Sequence, residues 1–422
     1  MEQENKIRHI LLATTGESPQ VVTETLYAIH QEGLRWPDEI RLITTTIGKA
    51  RAQKGLLDEG HLASLCEEIG RPHPTFGSAH IEVVPGSNGQ DVDDARSLED
   101  HEALADFIMT KVKDLTSDAK LTLHASLAGG RKTMTFYLGY ALSLFGRRQD
   151  SLSHVLISKG YESHRDFWYP SHKQGALYAY DGKQLLTDDG QPLMPRDAKV
   201  TLAPIPIVRH RHDLPEVLTQ SGSSVHFREL VRLINLGEQP EELQLCIDLN
   251  EQLIHVCDTQ GSLHFVFKPG VLALAFYAVM VRATLRGDST LYRPAGDYAH
   301  AAGVILRDLV VPELAALNEQ PVSDSSQATL ESLEGLFKGN TLNALKRPLT
   351  YTWFDQRKNE LSTMFKEKLT ERVSSWLTPE LIWDDAGERL DHATKSKGGG
   401  YGIPLPVSNI TLIEVREKDT IC

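Results

Sequence analysis

The chain has 422 residues, 41% of them hydrophobic, and a formal net charge of −13. That length suits two or three domains with real cores. The acidic balance excludes broad, non-specific nucleic-acid binding, which needs basic surface. No apolar run reaches the roughly 18 residues that mark a membrane span. The N-terminal stretch MEQENKIRH lacks the apolar core of a signal peptide. Cys66, Cys246, Cys257 and Cys422 are scattered without a CxxC pair. A cytoplasmic protein with free thiols, no metal centre and no cofactor is therefore expected.

Residues 1–210 alternate strand-like and helix-like segments. Strands are expected at Ile7–Ala13, Ile40–Thr46, His80–Val84, Leu121–Ser126 and Ser153–Ile157, and helices at 19–31, 49–69, 98–115 and 131–146. This rhythm predicts an α/β fold with a mainly parallel sheet and helices on both faces. Val200–Ile207 reads as an edge or connecting segment, because Pro204 and Pro206 exclude a central strand.

A different pattern starts near residue 243. Leu243–Leu249, Leu253–Cys257 and Leu263–Phe267 are short strands, and Gly270–Leu285 is a strongly apolar helix. Helical patches at 301–317 and 326–337 read as an insert, and Tyr351–Trp376 as a long amphipathic helix or a helix pair. Leu381–Asp384, the loop Lys395–Gly400 and Tyr401–Leu405 read as a terminal hairpin. The expected organisation is a domain over 1–212, a linker over 213–242, and an α+β, winged-helix-like region over 243–422. That region carries its helical insert around 286–345, and the hairpin would be its wing.

Two turns carry the chemistry. After the first strand comes Thr14-Thr15-Gly16-Glu17-Ser18-Pro19-Gln20, where Ser18 suits an N-cap and Pro19 the first helical position. After Leu121–Ser126 comes a turn with Gly129, Gly130, Arg131, Lys132 and Thr133. Glycines let a phosphate approach the main chain, and the helix N-terminus and cations favour it there. Arg131 and Lys132 in a first helical turn oppose the helix dipole, and a bound anion would offset that. The GxxxxGK[ST] spacing of a Walker loop is absent. Strand–turn–helix sites of a parallel sheet gather at the carboxyl ends of the strands. A serine and a lysine across a phosphodiester form a chemical pair. The lysine stabilises charge on the phosphorane, and the hydroxyl orients the phosphate. A ribose 2′-OH held in line then serves as internal nucleophile without a metal.

Elsewhere the residue patterns read blandly. Gly146-Arg147-Arg148 suits a helix C-terminus. Arg209-His210-Arg211-His212 reads as a solvated edge or ligand-facing rim, with no further ligand at metal spacing. Arg357, Lys358, Lys366, Lys368 and Arg372 are balanced by Asp355, Glu360, Glu367 and Glu371, unlike the basic bias of a recognition helix.

The stretches TTGESPQVVTETLYAI, SLAGGRKTMTFYLGYALSLFGRRQDSLSHVLIS and VTLAPIPIVRHR resemble the CRISPR-associated NE family. That family carries a CARF (CRISPR-associated Rossmann fold) domain and is related to the ring nucleases of type III CRISPR systems. The resemblance covers roughly residues 6–212. It implies a symmetric homodimer that binds a cyclic oligoadenylate, most often the tetra-adenylate, across its twofold axis. It further implies metal-independent cleavage of that messenger, with Ser18 and Lys132 as the catalytic pair. Thr15, Gly16, Gln20, Ser126, Gly129, Gly130, Arg131 and Thr133 would hold the ligand. Relatives of this size often carry a HEPN ribonuclease domain, whose signature is an Arg and a His with four to six residues between them. Arg293 and His300 have that spacing, but Pro294 and Gly296 are expected to interrupt the helix the motif needs. The leading expectation is a ring nuclease. The alternatives are a ligand-gated effector ribonuclease and a DNA-binding transcriptional regulator, the last disfavoured by the balanced charge of 351–376.

Overall fold

The computed structural model describes residues 7–86, 88–91, 97–162, 164–222, 226–384, 386–390 and 399–415. The chain divides into two compact units. One runs to Leu214 and includes Thr219–Phe227, and the other holds Pro215–Leu218 and the residues from Arg228 onward.

The first unit is a six-stranded sheet. In chain order its elements are β1 (Arg8–Thr14), α1 (Gln20–Gln31), β2 (Glu39–Thr44), α2 (Thr46–Ala52), α3 (His61–Glu68), β3 (Ile81–Val83), α4 (Leu98–Ser117), β4 (Leu121–Ser126), α5 (Lys132–Phe145), β5 (Ser151–Ile157) and β6 (Val200–Pro204). The strand order is β3-β2-β1-β4-β5-β6. The first five strands run parallel, and β6 is antiparallel to β5 at the edge. That edge position suits Pro204, which cannot donate to a ladder on both sides. In β1 every residue from His9 to Thr14 is buried, the near-continuous apolar run of a strand covered on both faces. Leu11 and Ala13 pack with Val22, Leu26 and Ile29 of α1 and with Leu62 and Leu65 of α3. Strands β1 and β4 are neighbours, with Ala13 opposite Ser126. The chain leaves β1 toward β2 on one side and returns as β4 on the other. The order of the sheet therefore reverses between these two strands, and both chemically suggestive turns leave from that point.

The helix expected over 49–69 is two helices. A π-helical turn over Gln53–Asp58 follows α2, and Gly60, in the left-handed region at φ 72°, precedes α3. A Cβ on Gly55 would lie 2.1 Å from the Trp168 ring, so only glycine admits that indole. His61 stacks on the same ring at 4.0 Å.

The second unit holds α7 (Phe227–Leu236) from Arg228 on, and the single turn α6 (Glu216–Thr219) straddles the division. Then come β7 (Leu243–Asp248), β8 (Leu253–Asp258), β9 (His264–Phe267), α8 (Val271–Arg286), α9 (Ala299–Leu317), α10 (Ser326–Ser332), α11 (Gly339–Leu345), α12 (Tyr351–Lys366), α13 (Glu371–Leu377), β10 (Glu380–Leu381), β11 (Tyr401–Gly402) and β12 (Ile410–Ile413). The expected strands β7, β8 and β9 pair as an antiparallel meander, and β12 adds in parallel to β7. The α7, α11 and β12 segments were not expected from the sequence. Most of α8 is buried, and its Tyr277 donates to the Leu377 carbonyl at 2.7 Å. Of the two forms expected for Tyr351–Trp376, the helix pair is the one present, as α12 and α13, and β10 and β11 pair antiparallel as the expected hairpin. Lys395–Gly398 of its loop, Met1–Lys6, and Cys422 lie outside the described residues. Among the described residues, no helix is long and apolar enough to cross a membrane.

Candidate functional site

The two turns touch. The Thr14 hydroxyl donates to the Gly129 carbonyl at 2.6 Å. A Cβ built on Gly16 would lie 3.7 Å from the Gly130 Cα. Glycine is required in the second turn for two separate reasons. A Cβ on Gly129 would meet a Val21 methyl at 2.8 Å and the Thr14 carbonyl at 3.0 Å. Gly130 sits at φ 95°, where side chains are strained. The first turn is fixed by hydroxyls. Thr15 donates to the Ser18 carbonyl at 3.1 Å, and Thr44 donates to the Thr15 carbonyl at 2.7 Å.

Of the residues expected to hold a ligand, Thr15 and Ser126 are buried and work inside the fold. Ser126 Oγ lies 3.1 Å from Thr25 Oγ1 and accepts from the Ala128 N–H at 3.4 Å. Ser18, Gly130, Arg131 and Lys132 are exposed, and Gly16, Gln20, Gly129 and Thr133 are half-buried. Ser18 does not cap α1. The helix starts at Gln20, with Pro19 as its N-cap residue and no side-chain cap bond. The Thr15 hydroxyl closes the turn through the Ser18 carbonyl instead, so the Ser18 side chain stays out of the helix. Arg131 is likewise one residue outside the first turn of α5, extended at φ −71°, ψ 150°. Lys132 opens the helix, which has no acidic residue in its first turn and no side-chain cap. A cation therefore stands where the dipole is itself positive, an arrangement that an anion would relieve. The nearby Glu17 carboxylate is paired with Arg51 at 2.9 Å.

A cavity of about 170 Å³ opens beside Ser18. Its walls include Gln20, Val21 and Glu24 of α1, Ala128 of the second turn, His154 of β5, and Glu162 and His164. Glu24, His154, Glu162 and His164 were not among the expected site residues. Glu24 was detectable as a carboxylate in an otherwise apolar helical stripe. The other three come from a strand and a connection that no local pattern ties to the turns. Burial, with Glu162 adding like-charge repulsion, pushes the Glu24 carboxyl up to about 8.

The basic residues that trail the site are structural. Arg147 bonds the buried Asp150 carboxylate at 2.9 Å and the Asp118 and Leu121 carbonyls. Arg209 donates to the Arg147 and Asp150 carbonyls, and Arg211 to the Phe145 carbonyl at the end of α5. Cations belong at that negative helix end. Arg209 and Arg211 are thus tied to the fold rather than forming a solvated rim. His210 pairs with Asp213 at 3.1 Å. In the second unit Arg357, Lys358, Lys366 and Arg372 pair with Glu360, Glu380, Glu371 and Glu238.

Arg293 and His300 correct an expectation. Pro294 and Gly296 do not interrupt a helix, because they precede it. Arg293 lies in the lead-in to α9, and His300 is exposed in its first turn. Arg293 forms a two-point ion pair with Asp355 of α12, at 2.7 and 2.5 Å, and faces the Tyr351 ring at 5.3 Å.

A mostly parallel sheet with adjacent glycine turns at its reversal point defines an α/β protein of the doubly wound class, with its candidate site at the strand carboxyl ends. Residues 18–235 match the family described as CRISPR-associated protein NE0113, and that match spans slightly more than half of the chain. The chain belongs to this CRISPR-associated family. No curated protein matches it.

Proposed function

We propose that this protein binds a cyclic oligoadenylate, most readily the tetra-adenylate, at the paired turns of a Rossmann-like CARF domain, and cleaves it as a metal-independent ring nuclease that ends antiviral signalling. The observation that carries this reading is the contact of the Gly16 and Gly130 turns, which carry the exposed Ser18 and Lys132. A twofold ligand suits a homodimer in which each subunit offers the same half-site. In the proposed reaction a ribose 2′-oxygen attacks the adjacent phosphorus and loses its proton. The 5′-oxygen departs and gains one, leaving a 2′,3′-cyclic phosphate and a 5′-hydroxyl. Ser18 orients the phosphate, and Lys132 stabilises the charge of the transition state. The reading also places the protein in the cytoplasm and takes the second unit as a winged-helix-like appendage, with β10–β11 as wing. The test is incubation of purified protein with cyclic tetra-adenylate in EDTA, read by chromatography, for wild type, Ser18→Ala and Lys132→Ala. Linear products lost in Lys132→Ala support it. Tight binding without cleavage would overturn the nuclease part.

A second reading, a cyclic-oligoadenylate-gated effector ribonuclease, is favoured by one observation. Arg293, held by Asp355 in the lead-in to α9, and the exposed His300 in the first turn of that helix have the spacing of a HEPN motif. The DNA-binding alternative gains no such support, since the cations of α12 and α13 named above are ion-paired.

A further inference from the structure

The cavity beside Ser18 has an inner wall that phosphate chemistry does not explain. Gln20 and Glu24 lie one turn apart on α1, so their side chains share a face. Gln20 Nε2 donates to the Arg165 carbonyl at 3.0 Å, which fixes the orientation of the amide. Its Oε1 is then a buried acceptor with no hydrogen-bond partner. Glu24 is 5% exposed and lines the same cavity. Among the described residues its carboxyl has no hydrogen-bonding partner either. A buried polar group without a partner costs free energy, so both groups are poised for something that enters the cavity. Ala128, Val21 and Ile157 supply apolar wall.

We infer that this cavity reads a nucleobase bearing an amino group beside a ring-nitrogen acceptor, with Gln20 Oε1 accepting from the amino group and the Glu24 carboxyl donating to the ring nitrogen. The inference rests on the reading that a nucleotide ligand occupies the paired turns. The chemistry selects among bases. Adenine offers an amino donor next to an acceptor on both N6-bearing edges. Guanine and hypoxanthine place a carbonyl oxygen where Gln20 Oε1 already stands, so two acceptors would face each other. Donation by Glu24 requires that it hold its proton. Burial and the neighbouring Glu162 supply that condition near neutral pH, with His154 and His164 the other titratable groups lining the cavity. Glu24 is thus assigned as a specificity residue distinct from the Ser18–Lys132 pair.

The test is equilibrium binding at pH 6.5 in EDTA, comparing cyclic tetra-adenylate with cyclic tetra-inosinate, for wild type, Glu24→Gln and Glu24→Leu. Thermal melts check that each variant is folded. Wild type should prefer the adenylate by roughly ten- to a hundredfold, the range of a two-point base contact. Glu24→Gln keeps a neutral donor and should keep the preference, whereas Glu24→Leu should lose it while still binding both rings. Equal wild-type affinity for the two rings, or an undiminished preference in Glu24→Leu, overturns the base-reading role and leaves the paired-turn site standing. Binding of neither ring by wild type overturns the functional reading and this inference together. Should Glu24→Leu not fold, the wild-type comparison of the two rings still decides.

Discussion

The Thr14 hydroxyl reaches across the sheet reversal to the Gly129 carbonyl at 2.6 Å, so the last residue of one strand fixes the turn that follows its neighbour. Gly129 has no room for a side chain, with Val21 at 2.8 Å from any added Cβ. Gly129→Ala should therefore overpack the contact and destabilise the protein by about 1–3 kcal/mol. It should also abolish binding of cyclic tetra-adenylate, because the displaced turn carries Lys132. Calorimetric melting and ligand titration check both. A variant with wild-type melting and affinity would mean that the turns do not need this contact.

Lys132 predicts a trade between stability and function. It opens α5 with no carboxylate in the first turn and no cap, so it opposes the helix dipole. Lys132→Ala should leave stability unchanged or raise it by about 0.3–1 kcal/mol at low salt. The same substitution should remove cleavage of the cyclic messenger. Denaturant melts at two salt concentrations, paired with the cleavage assay, measure the two effects independently. A clear loss of stability would show that Lys132 is a structural residue and that its loss of activity says little about chemistry.

Glu24 predicts a pH dependence of stability with a definite sign. Its carboxyl is raised to about 8 in the fold from an ordinary 4.5, by burial first and Glu162 second. Below pH 4.5 both folded and unfolded chains are protonated there, and the group is neutral to stability. Between pH 4.5 and 8 the unfolded chain releases the proton that the folded chain keeps, so this group makes stability fall as pH rises. The full difference is on the order of 5 kcal/mol. Glu24→Gln, which cannot ionise, should match wild type near pH 4.5 and exceed it increasingly up to pH 8. His154, Glu162 and His164 line the same cavity and remain in both proteins, so the difference between the two melting curves reports Glu24 together with its coupling to Glu162. A difference that does not vary with pH would refute the raised ionisation.

Much of the first unit was legible because its strands are buried on both faces and its helices follow glycine turns. Leu121–Ser126 forms a strand over that same span, and Tyr351–Trp376 is indeed a helix pair. What escaped notice depends on distant partners. The break at Gln53–Asp58 follows from the Trp168 indole packed on Gly55, more than a hundred residues away in sequence. Strand β12 is a short segment that gains its partner only when it adds beside β7. In the site, the glycines, Ser18 and Lys132 announced themselves by composition. Ser126 did too, yet its hydroxyl is held inside by Thr25. Of the cavity wall, Glu24 was detectable as a carboxylate in an apolar stripe, but His154, Glu162 and His164 had no local signature, since a strand and a connection distant in sequence supply them. Pro294 and Gly296 misled in the other direction. They break helices, but here they sit ahead of one and help place Arg293 before α9.

Arg293 and His300 supply the prediction that separates the two functional readings. Arg293 gives its Nε and Nη2 donors, one edge of the guanidinium, to Asp355, whose carboxyl it holds below the usual range, while His300 remains exposed at the helix start. If this pair cleaves RNA, single-stranded RNA should be cut only when cyclic tetra-adenylate is present. His300→Ala should then slow that cleavage by roughly a hundredfold or more, the scale of a lost general acid or base. Asp355→Asn removes the carboxylate's single negative charge from Arg293 and should change the RNA rate without altering ring binding in the other unit. Neither substitution should touch cleavage of the cyclic messenger, which belongs to Ser18 and Lys132. Fluorogenic RNA and chromatography of the messenger, run on the same samples, give both rates. RNA cleavage absent from wild type, or unchanged in His300→Ala, would remove the effector reading and leave the ring nuclease alone.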